Sequence, residues 1–83
     1  MTRTVYIALN RSEGALLRLL GTVQRRGFDI AAVRTMAHED AALWRIELEL
    51  APSARDLAVL LRQLARLYDV AAIETPLATE PLR

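Results

Sequence analysis

The chain has 83 residues, a length that favours one domain with a modest hydrophobic core. It has no cysteine and a net charge of +1, which excludes disulfide and thiolate chemistry and gives no support for nucleic acid or an anionic membrane as a partner. No apolar run approaches the length of a membrane span, and the N-terminus lacks the apolar segment of a secretory signal, so we expect a cytoplasmic protein.

The first two elements are predicted to be a strand and an amphipathic helix. Thr4–Leu9 is rich in β-branched and aromatic side chains, as is typical of a strand. Helical spacing begins at Glu13 and places four apolar residues on one face: Leu16, Leu19, Leu20 and Val23. Two caps remain open for the start of the helix, a capping box of Asn10 with Glu13 or Ser12 alone. Gly27 is predicted to end it.

The middle of the chain is predicted to hold two strands joined by a polar turn. The alternation of Phe28–Ala37 is broken, and a bulge around Ala31–Ala32 would turn Phe28, Ile30 and Val33 inward. His38–Ala41 is the turn. Ala42–Leu50 alternates strictly, which favours an antiparallel sheet with one buried face and one wetter face. Its apolar side is Trp44, Ile46, Leu48 and Leu50.

The last two elements are predicted to be a second helix and a fourth strand. Pro52–Asp56 opens the helix, with Ser53 and Asp56 at capping-box spacing. Its apolar stripe is Leu57, Leu60, Leu61, Leu64 and Leu67. Tyr68–Asp69 ends the helix, and Val70–Thr75 is the strand. The βαββαβ order predicts an α+β, ferredoxin-like sandwich, with a four-stranded antiparallel sheet and two helices on one face.

The titratable residues do not form a pattern typical of an enzyme. His38 stands alone in the predicted turn, where a solvated side chain is expected. Glu47 and Glu49 share one face of the third strand, which we interpret as a solvated or interfacial face. RNA-binding modules of the same fold carry aromatic and basic residues on that face. We therefore expect no catalytic residue, no metal site and no nucleic-acid partner.

A candidate small-molecule site lies at the two ends of the first helix. Gly14 would let a ligand approach the backbone closely, and the free N–H groups of the first turn can hold a carboxylate. Asp29, next to Ile30 at the start of the second strand, can receive an ammonium group. Together they would suit a free amino acid. In the alternative interpretation, Gly14 only permits tight packing and Asp29 is a solvated residue.

The ordered combination of Asn10, Ser12, the segment Gly14-Ala15-Leu16 and the segment Arg26-Gly27-Phe28-Asp29-Ile30 resembles an ACT domain. Within that family it is most similar to the small regulatory subunit of acetolactate synthase (acetohydroxyacid synthase). The resemblance extends over residues 4–75. It implies a single ACT domain at residues 1–76 and a flexible tail at residues 77–83, as in the short type paired with the isozyme II catalytic subunit.

The resemblance implies a non-catalytic role. Such a subunit binds and activates the catalytic large subunit in branched-chain amino-acid biosynthesis, the route to valine and isoleucine. Thiamine diphosphate, FAD and magnesium would belong to the large subunit, and this chain would hold no cofactor. The resemblance also implies a homodimer through the second strand and the first helix, with a branched-chain amino acid as effector.

The effector-site residues implied by the resemblance are Asn10, Arg11, Gly14, Asp29 and Ile30. Two of them depart from the pattern of valine-sensitive relatives. Arg11 stands where the pattern has Asn, and Asp29 replaces a second Asn. Asp29 keeps an acceptor for an ammonium group but adds a charge that repels a carboxylate.

Two further hypotheses remain open. The chain is a free-standing ACT sensor of an amino acid that regulates another enzyme or a transcription factor, or it is a dimerisation module without a ligand.

Overall fold

The computed structural model describes residues 3–74, in which a four-stranded sheet carries two helices on one face. Its elements are β1 (Arg3–Asn10), α1 (Ala15–Arg25), β2 (Ile30–Ala37), β3 (Leu43–Leu50), α2 (Leu57–Ala65) and β4 (Val70–Ile73). The strand order is β2-β3-β1-β4, and each pairing is antiparallel. The ferredoxin-like βαββαβ prediction is confirmed. Thr75 of the predicted fourth strand and the predicted tail at residues 77–83 lie outside the described residues.

The core lies between the helices and one face of the sheet. β1 and β3 form its centre, where Val5 is paired with Leu48 and Ile7 with Ile46, and all four side chains are fully buried. The helices contribute residues spaced by four positions: Leu19 and Val23 from α1, Leu60 and Leu64 from α2. This spacing puts each pair on one helix face. No helix among residues 3–74 is long and apolar enough to cross a membrane.

The predicted bulge in the second strand is confirmed. The register of β2 against β3 shifts between Ile30, paired with Leu50, and Ala32, paired with Glu49. Because Ala31 is the extra residue, the side chains on both sides of it regain an inward direction. Ile30 and Val33 pack against the core, and Phe28, just before the strand, is buried.

The end of α1 follows the prediction, but its start does not. Gly27 has φ 88°, its N–H donates to Gln24 O, and the N–H of Phe28 donates to Val23 O, which is the Schellman arrangement. At the start, Gly14 precedes the helix with φ 77° and no side chain caps it. Both predicted caps are wrong, because the Ser12 hydroxyl is engaged elsewhere and Asn10 is still part of β1.

The start of α2 also differs from the prediction. The helix begins at Leu57, not at Pro52, and Asp56 is its cap, accepting a hydrogen bond from Ala58 N–H at 2.9 Å. Ser53 is not part of this cap, since its hydroxyl accepts from Arg55 N–H in the preceding turn. α2 ends at Ala65, so Leu67 of the predicted stripe lies beyond the helix but still packs against the core.

Candidate functional site

The loop from residue 11 to residue 14 joins β1 to α1, and Arg11 is held along the start of β3. Its backbone N–H donates to Ala42 O at 3.1 Å, and its side-chain Nε donates to Leu43 O at 3.1 Å. The guanidinium carbon lies 5.2 Å from the centre of the Trp44 ring, within cation–π distance. Because its side chain already contacts Leu43 and Trp44, Arg11 is not positioned as a simple replacement for the ligand-binding Asn that the resemblance implies here.

The same loop is tied to the start of β4 through Asp69. Ser12 Oγ donates to Asp69 Oδ1 at 2.9 Å, and Arg18 Nε donates to Asp69 Oδ2 at 2.7 Å. The Asp69 side chain is 8% exposed. Its hydrogen bonds, first from Arg18 and then from Ser12, hold the pKa of Asp69 below its usual value. The hydrogen bond to Asp69 in turn raises the pKa of Arg18. This contact fixes the position of the loop.

Gly14 is favoured by its backbone conformation, and an added Cβ would also displace the end of the Arg18 side chain. A residue with a Cβ is strained at φ 77°, and a Cβ at this position would lie 2.9 Å from Arg18 Nη1. Arg18 Nη2 also donates to Glu13 O at 3.1 Å. A guanidinium group therefore lies against the first turn of α1. The N–H groups of that turn favour an anion there, whereas the charge of Arg18 is already paired with Asp69.

The structure does not bring all the predicted site residues together within one chain. Asn10 is paired with Leu43 at one end of β3, whereas Ile30 is paired with Leu50 at the other end. At about 3.3 Å per residue, the two ends are roughly 23 Å apart. Asn10, Arg11 and Gly14 thus lie at one end of the sheet, and Asp29 and Ile30 lie at the opposite end.

The open face of the sheet carries ion pairs that cross its strands. Arg34 of β2 contacts Glu47 of β3 at 2.7 Å, and Arg45 of β3 contacts Glu74 at 3.1 Å. His38 Nε2 lies 3.3 Å from Glu74. Burial raises the pKa of Glu74, but the hydrogen bonds from His38 and Arg45 outweigh it, so the pKa lies below its usual value.

His38 is not the solvated turn residue that the sequence predicts. Its side chain is 10% exposed, and its Nδ1 accepts a hydrogen bond from Asp40 N–H at 3.0 Å. This bond fits an imidazole whose proton is on Nε2, where it can be donated to Glu74. His38 thus links the turn between β2 and β3 to the end of β4.

Sequence reasoning missed Asp69, Arg18 and Glu74. Ser12 and Arg18 are 57 and 51 residues away from Asp69, and His38 is 36 residues away from Glu74. No local spacing connects such residues, so only the folded chain reveals the contacts.

A βαββαβ domain with a loop fixed between its first strand and first helix belongs to the ferredoxin-like class, which hosts many functions. The model of one family in this class, described as the ACT domain, matches residues 11–73. The chain therefore belongs to the ACT domain family, whose members are regulatory.

Solved proteins with a similar structure include two from different systems. The acetolactate synthase small subunit from Thermotoga maritima superposes with a TM-score of 0.81 at 18% identity, over 95% of this chain and 50% of that one. The ACT domain of the GTP pyrophosphokinase from Chlorobium tepidum gives a TM-score of 0.69 at 15% identity, over 89% of this chain and 95% of that one. At identities this low, the structural likeness shows a shared fold and nothing further.

The chain thus spans about half the length of the Thermotoga maritima subunit. No curated protein matched it significantly.

Proposed function

We propose that this chain is a non-catalytic regulatory subunit of acetolactate synthase that binds and activates the catalytic subunit in branched-chain amino-acid biosynthesis. The observation that carries the proposal is its likeness to an acetolactate synthase small subunit over almost the whole chain. The segment from Gly14 to Ile30, with its glycine start and glycine stop, supports the same assignment. Thiamine diphosphate, FAD and magnesium would be held by the catalytic subunit, in the cytoplasm.

The edge strand β2 supports a homodimer. β2 has eight residues, has no strand on its outer side among residues 3–74, and contains Arg34 as its only charged residue. The opposite edge, β4, has four residues. A long edge strand with few charges pairs readily with another strand. A second copy that pairs with β2 would form a continuous eight-stranded sheet.

The helix above this edge supports the same dimer. Thr22 of α1 lines the groove toward α2, and Arg26, directly after the helix, donates to Gln63 of α2. At 100° per residue, Leu17 and Leu20 lie roughly 220° and 160° around the helix from Thr22 and so face away from α2. Leu17 is 75% exposed. Pairing of the β2 strands would bring the two α1 helices together and cover it.

The proposed dimer would also complete the effector site. In an antiparallel pair of β2 strands, the start of one strand lies beside the end of the other. The end of β2 is at the same end of the sheet as Asn10. Asp29 and Ile30 of the second copy would therefore approach the Gly14 loop of the first, and an amino acid would bind between the two chains.

The departures at Arg11 and Asp29 predict weak binding of valine. Asp29 adds a negative charge near the ligand carboxylate, and Arg11 is bonded to β3. We expect the double variant Arg11→Asn with Asp29→Asn to bind valine about tenfold more tightly than the wild type, as measured by calorimetry. Equal binding by the two proteins would contradict the proposed site.

The proposed function itself is tested by reconstitution. The purified catalytic subunit is assayed for acetolactate formation with and without this chain. We expect a higher rate when the chain is present. An unchanged rate with the catalytic subunit of the same organism would refute the assignment.

The likeness to the GTP pyrophosphokinase domain favours a second candidate, an amino-acid sensor for another enzyme. Calorimetry with all twenty amino acids separates the two. Tight binding of an amino acid that is not branched-chain, without stimulation of acetolactate formation, would support the sensor.

A further inference from the structure

The arginines of this protein are concentrated in the helical layer. Six of the eleven basic residues lie in residues 15–27 and 55–69: Arg18, Arg25, Arg26, Arg55, Arg62 and Arg66. The same segments contain two carboxylates, Asp56 and Asp69. Asp69 is paired with Arg18, and Asp56 caps α2. The whole chain is therefore close to neutral, although the face formed by its helices is basic.

Most of these arginines have no ionic partner in the described part of the chain. Arg25 donates to the Thr22 hydroxyl at 3.2 Å, and Arg26 donates to the Gln63 amide oxygen at 2.9 Å. These acceptors are neutral, so they orient the guanidinium groups without compensating their charge. Arg62 and Arg66 form no ion pair within residues 3–74.

The arginines border a groove between the two helices. The groove has a volume of about 420 Å³ and is lined by Thr22, Arg25, Arg26, Gln63, Arg66 and Leu67. Its size would admit one or two acidic side chains. Beside it, the outer face of α2 presents Val59 and Arg62, spaced three residues apart and thus on one face of the helix.

An exposed aromatic residue directly follows Leu67, which lines the groove. Tyr68, in the turn after α2, is 93% exposed, and Val59 is 41% exposed. Tyrosine and arginine dominate the centres of protein interfaces. The open sheet face differs, because its arginines Arg34 and Arg45 are already paired with Glu47 and Glu74.

We infer that the groove between α1 and α2, with Arg62, Arg66 and Tyr68 at its border, is the surface that docks an acidic surface patch of the catalytic subunit. This inference rests on the proposed function and adds the contact surface. A protein fits better than a nucleic acid, because the chain as a whole is close to neutral and the patch combines charge with apolar anchors. The surface lies on the side of α1 opposite Leu17, so it remains open in the proposed dimer.

The test measures the affinity of the full chain for the immobilised catalytic subunit at several salt concentrations. We expect Arg62→Gln with Arg66→Gln to weaken binding about tenfold at low salt and to flatten its salt dependence. Tyr68→Ala should weaken binding by a similar factor at all salt concentrations. Arg45→Gln, on β3 in the open sheet face and away from the β2 edge, is the matched control and should bind like the wild type.

The outcomes separate the two proposals. If the wild type does not bind the catalytic subunit, the proposed function fails and the docking surface fails with it. If the wild type binds but the arginine double variant and Tyr68→Ala bind as tightly as the wild type, only the docking surface is wrong. The same holds if Arg45→Gln loses as much affinity as these variants. Binding of single-stranded RNA that the groove variants abolish, without an effect on the catalytic subunit, would also overturn it. Thermal unfolding of each variant verifies that it is folded.

Discussion

At the scale of single residues, the hydrogen bonds of Asp69 hold the loop between β1 and α1 in place. Asp69 directly precedes β4, and its carboxylate accepts hydrogen bonds from Ser12 of the loop and from Arg18 of α1. The Asn10 N–H also donates to Asp69 O at 2.8 Å. One residue therefore fixes both the backbone and the side chains next to Gly14. The candidate effector site depends on a residue that has no motif of its own.

The lowered pKa of Asp69 predicts a pH-dependent stability. Because the folded-state pKa lies below the unfolded value of about 3.9, the contribution is fully present above that pH and is lost as pH falls through the folded-state pKa. We expect Asp69→Asn to lower the free energy of unfolding at pH 7 and to converge with the wild type in acid. Urea unfolding measured across this pH range tests the prediction.

Arg18→Gln is the control for this measurement, since it removes the principal cause of the lowered pKa. It should reproduce part of the lost pH dependence. Wild-type and Asp69→Asn curves that stay parallel down to acid pH would show that Asp69 makes no ionic contribution.

At the scale of elements, alternation and helical spacing predict which segments form, but not where helices begin. The strict alternation of β3 and the bulge in β2 were both readable, because a buried sheet face leaves a period of two in the sequence. The predicted helix starts differ from the observed ones because Ser, Asn and Asp side chains can bond to many groups. Ser12 bonds to Asp69 instead of to α1, because the folded chain brings Asp69 next to it from 57 residues away. Gly27 was predictable because a positive φ strongly favours glycine.

The cap of α2 gives a direct test of this difference between Ser53 and Asp56. Asp56 accepts a hydrogen bond from the helix N–H of Ala58, whereas Ser53 bonds only within the preceding turn. We expect Asp56→Ala to lower the free energy of unfolding by about 1 kcal/mol and Ser53→Ala to lower it by less. Chemical denaturation measures both. A larger loss for Ser53→Ala would favour the capping box predicted from the sequence.

The proposed dimer is tested on α1. Leu17 is largely exposed in one chain, so Leu17→Glu should leave the fold unchanged but place a charge between the two helices. We expect the dimer dissociation constant to rise at least about tenfold, measured by analytical ultracentrifugation. Val59→Glu, a similar change on the outer face of α2, should have no such effect. A monomeric wild type, or a Leu17→Glu variant that dimerises normally, would contradict the proposed interface.

At the scale of the whole molecule, three surfaces have three different properties. The edge at β2 carries a single charged residue and the outer flank of α1 exposes Leu17, which are the surfaces of the proposed dimer. The groove between the helices is basic, and the open sheet face carries mutually paired charges. The sequence indicated the family through the segment around Gly14 and Gly27. It did not indicate the basic face, because arginines far apart in the chain meet only when the helices pack.

The most direct test of the regulatory role is a titration of the catalytic acetolactate synthase subunit with this chain, measuring acetolactate formation. The ACT domain of the Chlorobium tepidum GTP pyrophosphokinase, similar in fold at 15% identity, is the matched control. We predict a saturable increase in rate with this chain and none with the control. A flat titration with this chain, or equal stimulation by both domains, would contradict the assignment.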